Sequence, residues 1–189
     1  MKVSEREALA HAANCAEEFR VHPLGFFFLK YCAGNEQARR IHVWLGNNAT
    51  RTTNQLHLHS FDIESVVVVG KIRNELFRYR ETAGGAVMEF EVSYNDGKSL
   101  LRRTGSVGEL DPMGSFETPA GSWYRLEAGV IHRVIVEEAP CVTLVSTIER
   151  GTRICSYGLT DEEQPCVRRM VNREEVSQIA AALDGALHP

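Results

Sequence analysis

Gln55–Gly70 reads QLHLHSFDIESVVVVG. It sets two histidines at i and i+2, His57 and His59, ahead of a carboxylate, Glu64, and a valine run, Val66–Val69, that stops at Gly70. Alternate residues of an extended strand project to the same face. His57 and His59 should therefore stand side by side, a chelating arrangement for a borderline divalent metal ion. The same pair is also compatible with two surface histidines in a loop, so the rest of the chain has to decide.

The bulk properties narrow the classes. At 189 residues the chain is long enough for one domain with a hydrophobic core of its own. A composition of 43% hydrophobic and 24% charged residues is that of a soluble globular protein. The net charge of -4, with acids and bases interleaved, leaves no basic footprint for nucleic acid. No apolar run is long enough to span a bilayer, and the N-terminus, MKVSEREALA, lacks the apolar core of a signal peptide. The five cysteines (Cys15, Cys32, Cys141, Cys155, Cys166) are scattered and odd in number, with no CxxC. That pattern fits a reducing compartment better than a disulfide framework or a zinc–thiolate site. The expectation is a cytoplasmic protein with a small-molecule substrate and neither a nucleic-acid nor a membrane partner.

On the N-terminal side of the histidine pair, Ser4 to Arg20 reads as a helix, with Ser4 and Glu7 in the spacing of a capping box. Leu9, Ala12, Ala13, Ala16 and Phe19 give it an apolar stripe, and Val21-His22-Pro23 ends it. GFFFLKYC and RRIHVWL follow as short β-rich runs. In the second, His42 and Trp44 share one face while Ile41, Val43 and Leu45 share the other. On the C-terminal side the β pattern continues past Gly70 into KIRNELFRYR. AVMEFEVSY alternates, Asn95-Asp96-Gly97 signals a hairpin, and SLLRRTG returns as its partner. SWYRL, IHRVIV and CVTLVSTI are three further short runs. Many short strands joined by turns predict a sandwich or barrel. Thr152–Pro165 reads as irregular. A closing helix is N-capped by Asn172 and presents Val176, Ile179, Ala180 and Leu183 to the core.

Gly121–Val136, GSWYRLEAGVIHRVIV, supplies a third histidine, His132, three residues past Gly129 at the start of a strand. Together the two stretches resemble the paired motifs of the cupins, G-x5-H-x-H-x3-4-E-x6-G and G-x5-P-x-G-x2-H-x3-N. His57, His59 and Glu64 match the first, and Gly121, Gly129 and His132 the second. Glu127 replaces the proline, Val136 the asparagine and Arg51 the opening glycine, and five residues rather than six separate Glu64 from Gly70. The resemblance covers about residues 25–150. It implies an all-β double-stranded jelly-roll barrel within one domain spanning residues 1–189, with short helices at both ends and dimerisation as a common arrangement.

The resemblance also implies one divalent metal ion held by His57, His59, Glu64 and His132. Glu64 is in place counted forward from His59 and one residue short counted back from Gly70. A one-residue slip in a strand reverses the face, so the site holds either three histidines and a carboxylate or three histidines alone. Asp62 is a further candidate. VVVVGKIRNELF and IHVWLG resemble the corresponding parts of the thiol dioxygenases within that family, which use three histidines and Fe(II). The function implied is an Fe(II) dioxygenase acting on a small thiol- or carboxylate-bearing molecule, with zinc, nickel or manganese as alternative ions. A metal-dependent isomerase or lyase and a ligand-binding cupin without turnover are the other readings. Tyr124 is a candidate proton donor above the metal. Arg40 and Arg51 are candidates for holding a substrate carboxylate, and His42 for lining the barrel. Trp44 and Phe90 are read as packing residues.

Overall fold

The computed structural model describes residues 3–33, 37–46, 56–95, 98–159 and 165–188. Helix α1 (Val3–Asn14) opens the chain, and β1 (Arg20–Val21), β2 (Phe27–Ala33), β3 (Gln37–Trp44), β4 (Leu56–Leu58) and β5 (Phe61–Glu81) follow. Next come β6 (Val87–Asn95), β7 (Lys98–Pro119), β8 (Trp123–Leu126), β9 (Ile131–Glu149), β10 (Cys155–Gly158) and β11 (Pro165–Val167), and helix α2 (Arg173–Leu187) closes the chain. The fold is all-β with a helix at each end, as the sequence predicts.

Every strand pairing among the described residues is antiparallel, and the ladder closes on itself. From β9 it passes through β4, β10, β6, β7 and β5 and returns to β9. The long strands β5 and β9 serve both walls of the barrel. The first half of β5 pairs with β8 and the end of β9, for example Ile63 with Leu126 and with Thr147. Its second half pairs with β7 and the start of β9, for example Leu76 with Gly114 and with His132. The change of partner falls at Gly70, where the register against β9 shifts. Gly70 sits at φ +79, and a Cβ there would meet the Glu138 carbonyl oxygen at 2.4 Å and the Pro140 carbonyl oxygen at 2.6 Å. The valine run stops at Gly70 because the two long strands approach too closely there for any side chain.

Strand β3 is covered on both faces from Ile41 to Trp44. Ile41 and Val43 turn outward from the barrel and join Leu9, Phe19, Ile179 and Leu183 in a core that seats both helices. Burying such side chains is worth ~1.5–3 kcal/mol each. Arg40, His42 and Trp44 take the opposite face and line a cavity. Helix α2 carries a full capping box, in which the Asn172 side chain accepts from the Glu175 N–H and Glu175 accepts from the Asn172 N–H.

Three expectations change. The first helix ends at Asn14, short of Arg20, because extended backbone at Phe19 carries that fully buried side chain into the core. IHRVIV and CVTLVSTI are one strand, β9, rather than two. The stretch expected to be irregular contains β10, whose four residues are all buried between β4 and β6. Asn95 pairs with Lys98 across the expected hairpin, whose Asp96 and Gly97 lie outside the described residues.

Candidate metal centre

His57 lies on β4 directly opposite His132 on β9. His59 ends the same short segment and returns to the same face, as the i, i+2 spacing requires. The ring centroids are 4.5 Å apart for His57 and His132, 4.7 Å for His57 and His59, and 5.1 Å for His59 and His132. One nitrogen from each ring lies within 4.8 Å of the others, the three-ligand convergence that a metal ion needs.

The surroundings suit ligation. His132 Nδ1 lies 3.0 Å from the carbonyl oxygen of Val130. A carbonyl only accepts, so Nδ1 carries the proton and Nε2 keeps its lone pair free. His59 stacks on Phe61 at 4.6 Å and 15°, which fixes its ring plane. Burial pushes His132 down to about 3 and, helped by its neighbours His57 and His132, holds His59 well below the usual histidine range. Both rings are neutral at ordinary pH, as a ligand must be. Neutral imidazole donors suit iron, zinc, copper or nickel.

Glu64 is corrected out of this group. The register of β5 runs unbroken from Phe61 to Val67, so parity alone sets its face. Ile63, Ser65 and Val67 are buried, while Glu64 is exposed on the opposite side between Arg125 and Ser146. The register shifts only after Val67, beyond Glu64, and so does not turn its side chain back to the cavity. Asp62 shares the outer face and is consumed there. It accepts from Arg150 at 2.8 Å, Arg125 at 3.2 Å and the Ala128 N–H at 2.9 Å. Among the described residues the metal-competent group is three histidines without a carboxylate.

The triad lines a cavity of about 480 Å³. Tyr124 lines it too, is 9% exposed and stands opposite Ser65. Burial pushes its phenol up to about 12, so it keeps its proton. His42 lies in the wall between Phe26 at 4.6 Å and Trp44 at 5.6 Å, and burial drives it down to about 3. Trp44 is a wall residue with a polar edge rather than packing alone, whereas Phe90 is fully buried outside the cavity. Arg51 lies outside the described residues.

Sequence reading missed His22, Lys30, Tyr94, Glu149 and Arg168, all in the lining. His22 stacks on Phe26 at 4.3 Å, and its Nδ1 accepts from the Leu24 N–H. No local spacing marks these residues, because they converge from the loop before β2, from three strands and from the segment after β11.

No family model and no curated protein matches the sequence. Solved structures do. One is an oxalate decarboxylase of Bacillus subtilis, with 9% identity over 70% of this chain and a TM-score of 0.41. This chain spans only 28% of that enzyme's length. Another is a hydroquinone 1,2-dioxygenase in complex with Cd2+ and 4-hydroxybenzonitrile, with 17% identity, 74% of each chain covered and a TM-score of 0.43. A third is a hydroquinone 1,2-dioxygenase from Sphingomonas with 4-hydroxybenzoate bound, with 18% identity, 62% of each chain covered and a TM-score of 0.35. The barrel's own strand pairing and its histidine triad fit the cupin metal site that the two sequence motifs imply. No helix among the described residues is long and apolar enough to cross a membrane.

Proposed function

We infer that this chain is a mononuclear metal-dependent oxygenase, with Fe(II) held by His57, His59 and His132, acting on a small carboxylate- or thiol-bearing molecule. The observation that carries the reading is the convergence of three imidazole nitrogens within 4.8 Å, with no carboxylate among them, on the wall of a cavity. A ferrous ion bound there would supply open positions for substrate and dioxygen. The chain's own residues do the rest. Phe26, Phe61 and Trp44 keep bulk water from the reacting groups. Tyr124, protonated because it is buried, is a proton source for a substrate in the cavity. His42 and His22, uncharged for the same reason, add polar contacts without adding charge.

The test is elemental analysis of the purified protein, followed by oxygen-electrode measurements on iron-loaded protein with thiols, diketones and catechols. Iron at roughly one ion per chain and substrate-dependent oxygen uptake are expected. Undiminished turnover of a substrate by zinc-loaded protein without oxygen would replace the oxygenase reading with a Lewis-acid isomerase or lyase.

A further inference from the structure

The cavity has a second group of polar side chains besides the three metal-binding rings. Arg40, from β3, stacks its guanidinium over Phe61 at 4.9 Å. Arg168, from the segment after β11, lies over Tyr94 at 4.7 Å and over Phe28 at 5.6 Å. Neither has a carboxylate within ion-pair range among the described residues, and Glu149, the acid in the lining, accepts instead from the Gly151 N–H at 3.0 Å. Lys30 shares the lining, so three cations face one carboxylate. The buried nitrogens left without a partner point to the same need. Arg40 Nε, Arg168 Nε and the indole Nε1 of Trp44, a residue 3% exposed, all lie in side chains that line the cavity, and all three are donors. A buried donor without an acceptor is costly, and the side chains that carry these three surround one space, which favours a ligand that accepts. Around them the wall is aromatic, with Phe26, Phe28, Phe61 and Tyr94 offering flat faces.

We propose that Arg40 and Arg168 form a clamp for the carboxylate of a small aromatic acid, held between the phenylalanine and tyrosine rings with its other end toward the histidine triad. Arginine forks match a carboxylate in two-point geometry. The clamp rests on the reading of this cavity as a substrate site. It goes beyond that reading by fixing the charge and the flatness of the ligand, and by assigning half of the clamp to the C-terminal segment.

Calorimetry with zinc-loaded protein tests it without turnover. The probes are benzoate and its neutral counterpart benzamide. Benzoate is expected to bind at least about tenfold more tightly than benzamide, the ratio for one charge-assisted hydrogen bond. Arg40→Gln and Arg168→Gln should each remove that preference while leaving the zinc content at the wild-type level, which also shows that the variants fold. His132→Ala should lose zinc and keep the benzoate preference. Equal binding of acid and amide, no binding of benzoate, or an unchanged preference in both arginine variants would overturn the clamp. Zinc binding without benzoate binding removes the clamp alone. A benzoate preference in a protein that takes up neither iron nor zinc leaves the clamp standing and removes the metal-enzyme reading.

Discussion

The backbone N–H of Gly129 donates to the carbonyl oxygen of His59 at 3.0 Å. This bond ties the turn before the third histidine to the end of the segment that carries the first two. Thr152 Oγ1 donates to the same oxygen at 3.3 Å. Backbone bonding thus helps to space the three imidazoles, and such placement is what keeps a metal site ready before the ion arrives.

Metal content separates ligands from bystanders. His57→Ala and His132→Ala should each lower bound metal from roughly one ion per chain to near zero, because two nitrogen ligands do not hold a divalent ion firmly. Glu64→Gln should leave it unchanged. Elemental analysis of the three purified variants reads the difference, and metal loss in the glutamine variant would return Glu64 to the site.

Removing the Tyr124 hydroxyl bears on chemistry rather than on binding. Tyr124→Phe should lower kcat by about 100-fold or more with little change in KM. Metal content should stay at the wild-type value. Steady-state oxygen uptake checks the rate, and an unaltered kcat would leave the tyrosine as a wall residue.

Gly70 and Gly129 share a positive φ but differ in what surrounds them. At Gly70 a methyl group would strike three backbone atoms, including Cys141 Cα at 2.9 Å, whereas at Gly129 it would meet nothing within 4 Å. Gly70→Ala should therefore cost about 3 kcal/mol or more, as left-handed strain and overpacking combine. Gly129→Ala should cost about 1–2 kcal/mol from the backbone conformation alone. Urea denaturation of both variants measures the gap.

Acid should weaken the clasp at Asp62. Its side-chain bond from Arg150 and the Ala128 N–H hold the carboxyl below its usual value. The folded state therefore binds its proton less readily than the unfolded chain, whose carboxyl titrates near about 3.9. The stabilisation is complete above that pH and is lost as the pH falls through the folded value. Asp62→Asn should flatten the acid limb of the stability–pH curve and leave its slope near neutrality unchanged, which denaturation midpoints across the acid range will show.

What could be read from the sequence was what repeats locally. His57 and His59 need only strand parity to meet, and the N-cap at Asn172 needs only the turn it opens. Parity also flagged Glu64, since its count from Gly70 disagreed with its count from His59, and the register of β5, unbroken from Phe61 to Val67, sets its face. What could not be read was convergence. Arg168 reaches the cavity from beyond β11, and His22 from the loop before β2. β10 escaped because four residues carry no period, and its identity as a strand comes from the neighbours it bonds to, Ser156 opposite both His57 and Phe90.

Strand β3 belongs to two structures at once: Arg40 and His42 face the cavity, while Ile41 and Val43 face the helices. Anything that loosens Ile179 or Leu183 on α2 releases the back of the cavity wall, so the seating of the helices and the shape of the cavity cannot change independently here. Selection for a wider pocket would first be felt as a frayed C-terminus, and a ligand filling the pocket would slow amide exchange in a helix it never touches.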